Sequence, residues 1–133
     1  MHATRHTIRL GAAALAAVMA AVYYLIGLNV LHVVEGAQDD PQAMLAFGVP
    51  AGTMFLIGAV LLTTQDRRIL WIVGACLQVL VFAMYISVAP TRTPAYEIWG
   101  ITLRAIEIPL AIALAWLALT GREPVLSLRG ERR

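Results

Sequence analysis

Apolar residues in this chain come in four long blocks separated by short polar breaks. The blocks cover residues 10–34, 44–64, 69–89 and 98–119, each at or above the roughly 20 residues a helix needs to cross about 30 Å of hydrocarbon. In an apolar surround every backbone N–H and C=O must be paired inside its own segment, so runs of this length predict helices. A membrane barrel would instead show alternating segments of about 10 residues. The breaks read as hairpin connections: residues 35–43 hold Gly36, Asp39, Asp40 and Pro41, residues 65–68 are wholly polar, and residues 90–97 hold two prolines. The expected fold is therefore all-α, an antiparallel bundle of four transmembrane helices over residues 1–120 followed by a basic tail over 121–133.

Composition narrows this further. With 60% hydrophobic and 14% charged residues in 133, the chain has more apolar surface than one small water-facing core can hide. The net charge of +2 is too small to point to nucleic acid. Cys76 is the single cysteine, which rules out an intrachain disulfide. His2, Arg5, His6 and Arg9 ahead of an alanine-rich run resemble the start of a secretory signal. That apolar run is too long, and Ala14-Leu15-Ala16 comes too early in it for cleavage. The first block is expected to remain as an uncleaved helix.

Charge placement predicts orientation, because short loops retain arginine on the cytoplasmic side. Arg5, Arg9, Arg67, Arg68, Arg122, Arg129, Arg132 and Arg133 fall on one side of the four blocks and only Arg92 on the other, where Glu35, Asp39, Asp40 and Glu97 gather. Both termini are expected in the cytoplasm, with the protein in the cytoplasmic membrane. The same bias, with Glu35 at the outer end of the first block rather than inside it, argues against the small multidrug-resistance transporters. The arginine-rich tail is expected to hold topology, or to lie against anionic headgroups.

The fourth block carries the strongest signal of chemistry. At 100° per residue, Glu97, Gly100, Arg104, Glu107 and Ala111 share about 80° of the helix circumference. Arg104 and Glu107 would lie roughly 9 and 14 Å below the outer end, where an ionised side chain costs about 2.5 to 3.5 kcal/mol on insertion scales. Their i, i+3 spacing permits an ion pair, either structural or functional. Asn29 and His32 in the first block, and Gln78 and Tyr85 in the third, share the outer half. If their faces turn inward, Asn29, His32, Gln78, Tyr85, Arg104 and Glu107 line a polar ligand pocket. Against this stands a plainer reading, in which Tyr85 belongs to an interfacial aromatic belt and the amides bond between helices.

In the second block Gly48 and Gly52 form a small-xxx-small face suited to close helix packing, within the bundle or between copies. Pro50 loosens the same helix. No cofactor is legible: a bis-histidine haem would need an intramembrane partner for His32, and the five methionines with Cys76 show no ligand spacing for copper. Phosphate loops, nucleophile motifs and paired catalytic carboxylates are also missing from the sequence. The leading expectation is a membrane module without a catalytic centre of its own, binding a small amphipathic or lipid-like molecule or serving as an accessory subunit of a larger complex. Two alternatives stand beside it: a quinone- or lipid-handling enzyme or redox accessory factor, and a homo-oligomeric small transporter.

Overall fold

A computed structural model describes residues 2–121 of the chain; the tail beyond Gly121, with its expected headgroup contact, lies outside the described residues. Four helices form: α1 (His2–Gly27), α2 (Pro41–Thr64), α3 (Arg68–Val88) and α4 (Ile98–Leu119). All four are long and apolar enough to cross a membrane. Single turns of 3-10 helix, Gly36–Gln38 and Ala89–Thr91, shape the two connections on the face away from the N-terminus.

The first helix departs most from expectation, starting eight residues earlier than the apolar block and ending seven residues before its end. The physical reason for the early stop is a Schellman motif. Asn29 adopts the left-handed conformation with φ 55°. Its N–H donates to the Ile26 carbonyl at 2.9 Å, and the Val30 N–H donates to the Leu25 carbonyl at 2.9 Å. Hydropathy continues through Val34, but the helix does not. At the other end the polar segment around Arg5 and Arg9 is drawn into the helix by what those side chains reach. The second helix also starts early, at Pro41, because Asp40 caps it by accepting from the Gln42 N–H at 2.9 Å and proline suits the first helical position.

α1 lies between α2 and α4, and α3 packs on α4. The α1–α2 seam is built from small residues. A Cβ at Gly48 would overlap the backbone of Gly27 and come within 2.6 Å of the Tyr23 carbonyl, while one at Gly52 would meet the Ala20 carbonyl at 3.1 Å. Both glycines thus face α1 of the same chain, so the small-residue face is occupied by an intramolecular neighbour. Ala12, Ala13, Ala16 and Ala20 are buried on α1, and Tyr23 stacks on Phe55 with ring centroids 5.4 Å apart. By contrast, α2 and α3 diverge although only three residues join them.

The face that carries the N-terminus is tied together by arginines. The last carbonyls of a helix have no intrahelical donor, and a cation there also complements the helix dipole. Arg9 donates to the Leu62 and Gln65 carbonyls at the end of α2 (3.0 and 2.8 Å). Arg5 donates to the Leu117 carbonyl (3.1 Å) and Arg68 to the Ala118 carbonyl (2.8 Å) at the end of α4. Asp66, in the α2–α3 connection, accepts from Arg5 Nε and Nη2 at 2.9 and 2.8 Å and from Trp71 Nε1 at 3.1 Å. On the opposite face, the Glu35 N–H donates to the Thr93 carbonyl (2.8 Å) and the Thr93 N–H to Gln38 Oε1 (2.9 Å), joining the two longer connections.

Hydrogen bonds from Arg5 outweigh partial burial and hold the Asp66 carboxyl down at about 2, below its ordinary 3.8. A depressed folded value means that the carboxylate stabilises the fold fully above pH 4 and progressively less as pH falls toward 2. The melting temperature of the detergent-solubilised protein is therefore expected to fall more steeply from pH 4 to pH 2 in the wild type than in Asp66→Asn. Parallel curves for the two proteins would show that Asp66 contributes nothing to this fall.

Candidate functional site

α4 presents its polar face to α1 and α3. Arg104 and Glu107 are 8% and 1% exposed, and their ion contact, Nη1 to Oε2, measures 2.7 Å. One guanidinium serves several neighbours at once, as its fan of donors allows. Arg104 Nη1 also donates to the Val81 carbonyl of α3 at 3.1 Å, and Nη2 donates to the Tyr23 hydroxyl of α1 at 3.0 Å. Its carbon Cζ lies over the Tyr85 ring, 5.0 Å from the ring centroid, a cation–π distance. Arg104 is thereby the point at which α1, α3 and α4 are joined.

Above it, near the end of the bundle, Glu97 is buried and paired with Arg92 at 3.2 Å. Gly100 makes room for both Glu97 and Tyr85: a Cβ there would overlap a Glu97 carboxylate oxygen and come within 2.6 Å of the Tyr85 ring. Below it, Gln78 is 7% exposed. Because α3 and α4 run antiparallel with Val81 beside Arg104, one turn deeper on each brings Gln78 to the level of Glu107. Among the described residues, Gln78 Oε1, Tyr85 Oη and Glu107 Oε1 have no hydrogen-bond partner.

Of the six residues expected to line a pocket, the structure draws Tyr85, Arg104 and Glu107 into one cluster and sets Gln78 at its deep end. Asn29 and His32 do not join. Asn29 is the left-handed cap of α1, and His32 is exposed in the segment that follows. Their placement follows from the early end of α1, which removes the helical stripe they were read on. Tyr23 does join and was missed; the signal available was a pair of tyrosines, Tyr23 and Tyr24, inside an otherwise aliphatic run. Tyr24 bonds instead to Thr53 across the α1–α2 seam, oxygen to oxygen at 2.9 Å.

A cleft of about 250 Å³ lies elsewhere, between α2 and α3 in the half nearer the N-terminal face, with α1 and α4 as its floor. Phe55, Gly58, Trp71, Gly74, Leu114 and Gln78 are among its lining residues, Gln78 being the one shared with the expected pocket. Counted from the tight connection, Gly58 of α2 and Gly74 of α3 stand at one level. A Cβ on Gly58 would meet nothing within 4 Å, so this glycine leaves the gap open, whereas one on Gly74 would meet Leu114 of α4 at 3.3 Å. The walls are almost wholly apolar, with Gln78 the polar exception.

No protein-family model, no curated protein and no solved structure matches this chain at a significant level, so its chemistry is read from the residues themselves.

The three-way role of Arg104 predicts strong coupling with Glu107. Removing one member leaves the other buried and uncompensated, whereas removing both does not. Arg104→Leu and Glu107→Leu are each expected to lower unfolding free energy by about 1 to 3 kcal/mol, with the double variant recovering a large share of the loss. Additive costs in a double-mutant cycle would mean that the pair carries no interaction energy.

Proposed function

We propose that this is a four-span protein of the cytoplasmic membrane, both termini on the cytoplasmic side, that binds a single amphipathic, lipid-like molecule in the cleft between α2 and α3. The observation that carries the reading is the cleft itself: an apolar hollow, open sideways between two helices, with the buried amide of Gln78 in its wall. Small-molecule sites have this make-up, mostly apolar walls with one or a few polar groups that fix orientation. The sideways opening suits a molecule that arrives through lipid rather than water. Large apolar side chains such as Leu56, Ile57, Val79, Leu80 and Ile112 are exposed on the outer surface, as a hydrocarbon surround requires.

On this reading Arg104 and Glu107 are the frame and not the binding groups. Both Nη atoms of Arg104 and Oε2 of Glu107 are engaged with Tyr23, Val81 and each other, and neither residue is among those that line the cleft. Service as an accessory subunit is compatible with the same site, since α3 buries only Trp71 and Gln78 along its length and leaves a broad apolar face for a larger assembly.

Two measurements test this. Reporter fusions after Asp40 and Thr93 are expected to signal the outside and fusions after Asp66 the cytoplasm; a cytoplasmic signal at Asp40 would reverse the orientation. For the cleft, Gly58→Phe places a ring where the wild type has open space. A lipid that binds at 100 times its dissociation constant stabilises the folded state by about 2.7 kcal/mol. The wild type is expected to gain melting temperature in a panel of lipids and detergents where Gly58→Phe, itself folded, does not. Equal gains in both proteins would remove the cleft from the function.

A further inference from the structure

We infer that the cleft between α2 and α3 receives one acyl chain of an anionic lipid whose phosphate sits at Arg67. This rests on the reading of the cleft as a ligand site and adds the ligand's class and the way it is held. The cleft's own dimensions suggest a chain. Along α3 it runs from Leu70 to Val81, eleven residues or roughly 16 Å of helix rise. A methylene occupies about as much room as a water molecule's ~30 Å³ share of the liquid, so 250 Å³ holds about eight of them in line. Gln78, about one turn short of the far end at Val81, is the polar residue along this apolar stretch. A helix of a second copy, about 10 Å across, does not fit a hollow of this size.

The shallow end supplies the charge. Leu70 and Trp71 line the cleft one turn after Arg67, the residue that precedes α3. Arg5, Arg9, Arg67 and Arg68 lie at this same end of the bundle with Asp66 beside them, and their duties differ. Arg5 and Arg9 are engaged with Asp66 and with helix-end carbonyls, and Arg68 Nε holds Ala118. Arg67 is exposed; its backbone carbonyl accepts from the Leu70 N–H, but its guanidinium makes no hydrogen bond or ion pair with any described residue. Its guanidinium matches a phosphate diester in charge and geometry. Lipid carries the two matching parts in the right order, an anionic head at the interface and a chain running inward from it.

The test is native mass spectrometry of the full chain released from vesicles made of equal parts phosphatidylglycerol and phosphatidylcholine. One lipid per chain is expected, with phosphatidylglycerol enriched about fivefold, the factor that one arginine near a headgroup supplies. Arg67→Gln should retain one lipid but bring the two headgroups to parity, and Arg67→Lys should restore much of the preference. Gly58→Phe, or the smaller Gly58→Met if the ring unsettles the fold, should lose both lipids. Equal retention of the two headgroups by the wild type would overturn the anionic assignment while leaving the cleft as a lipid site, and a preference that survives Arg67→Gln would overturn the placing of the phosphate at Arg67. Full lipid retention by a folded Gly58 variant, or a chain-to-chain dimer in place of bound lipid, would overturn both readings together.

Discussion

An ionised guanidinium cannot stay unpaired in an apolar interior, and Arg104 is one of two formal charges that α4 carries into the bundle. Its five N–H donors need acceptors, and no single neighbouring helix offers enough of them. The solution reached is shared: a carboxylate one turn along on the same helix, a backbone carbonyl of α3, a tyrosine hydroxyl of α1 and the face of an aromatic ring. Each contact fixes the distance and rotation of a different element. The mutual placement of α1, α3 and α4 follows from the partners of its two Nη groups, Nε being buried without a hydrogen-bond partner among the described residues, and Gly100 makes room for Tyr85 and Glu97 beside it.

α2 is held by a different force. It has no part in the arginine cluster and attaches to α1 through small residues, where Gly48 and Gly52 let two backbones come close enough for extensive van der Waals contact. The molecule thus consists of a polar-bonded set of three helices and a fourth helix seated on the far side of α1. With α2 on one side of α1 and α3 reached only through α4, the sequence neighbours α2 and α3 are left apart. The cleft is a consequence of that division, and Gly58 keeps a side chain from filling it. Burial of Gln78 adds one polar group to an otherwise apolar wall, which is the composition of a site that orients what it binds.

Arginines on the N-terminal face act in two ways that are usually discussed separately. Their number on one side is what orientation rules count. Their hydrogen bonds also close the ends of α2 and α4, where backbone carbonyls would otherwise lack donors. Asp66 organises the cluster by neutralising Arg5 and positioning Trp71, so the tightest connection in the chain is anchored to α1 rather than left to the two helices it joins. Arg67 is the member that this arrangement leaves for something outside the chain.

Four helices, their order and their antiparallel connections were legible in the sequence, because a run of some 20 apolar residues with polar breaks admits one backbone solution when water is absent. The closeness of Arg104 and Glu107 was legible too, since it is local to one helix. Three things were not. The end of α1 depended on Asn29 taking a left-handed conformation, and hydropathy carries no record of backbone handedness; Asn29 and His32 were therefore read on a stripe that the helix does not have. Tyr23 entered the arginine cluster, and Gly48 found Gly27, through the rotation of one helix against another, which no single helix specifies. Finally, the cavity lies between α2 and α3 because of which helices share polar bonds and which share small residues. That is a property of pairs of elements, so only the tertiary structure decides it.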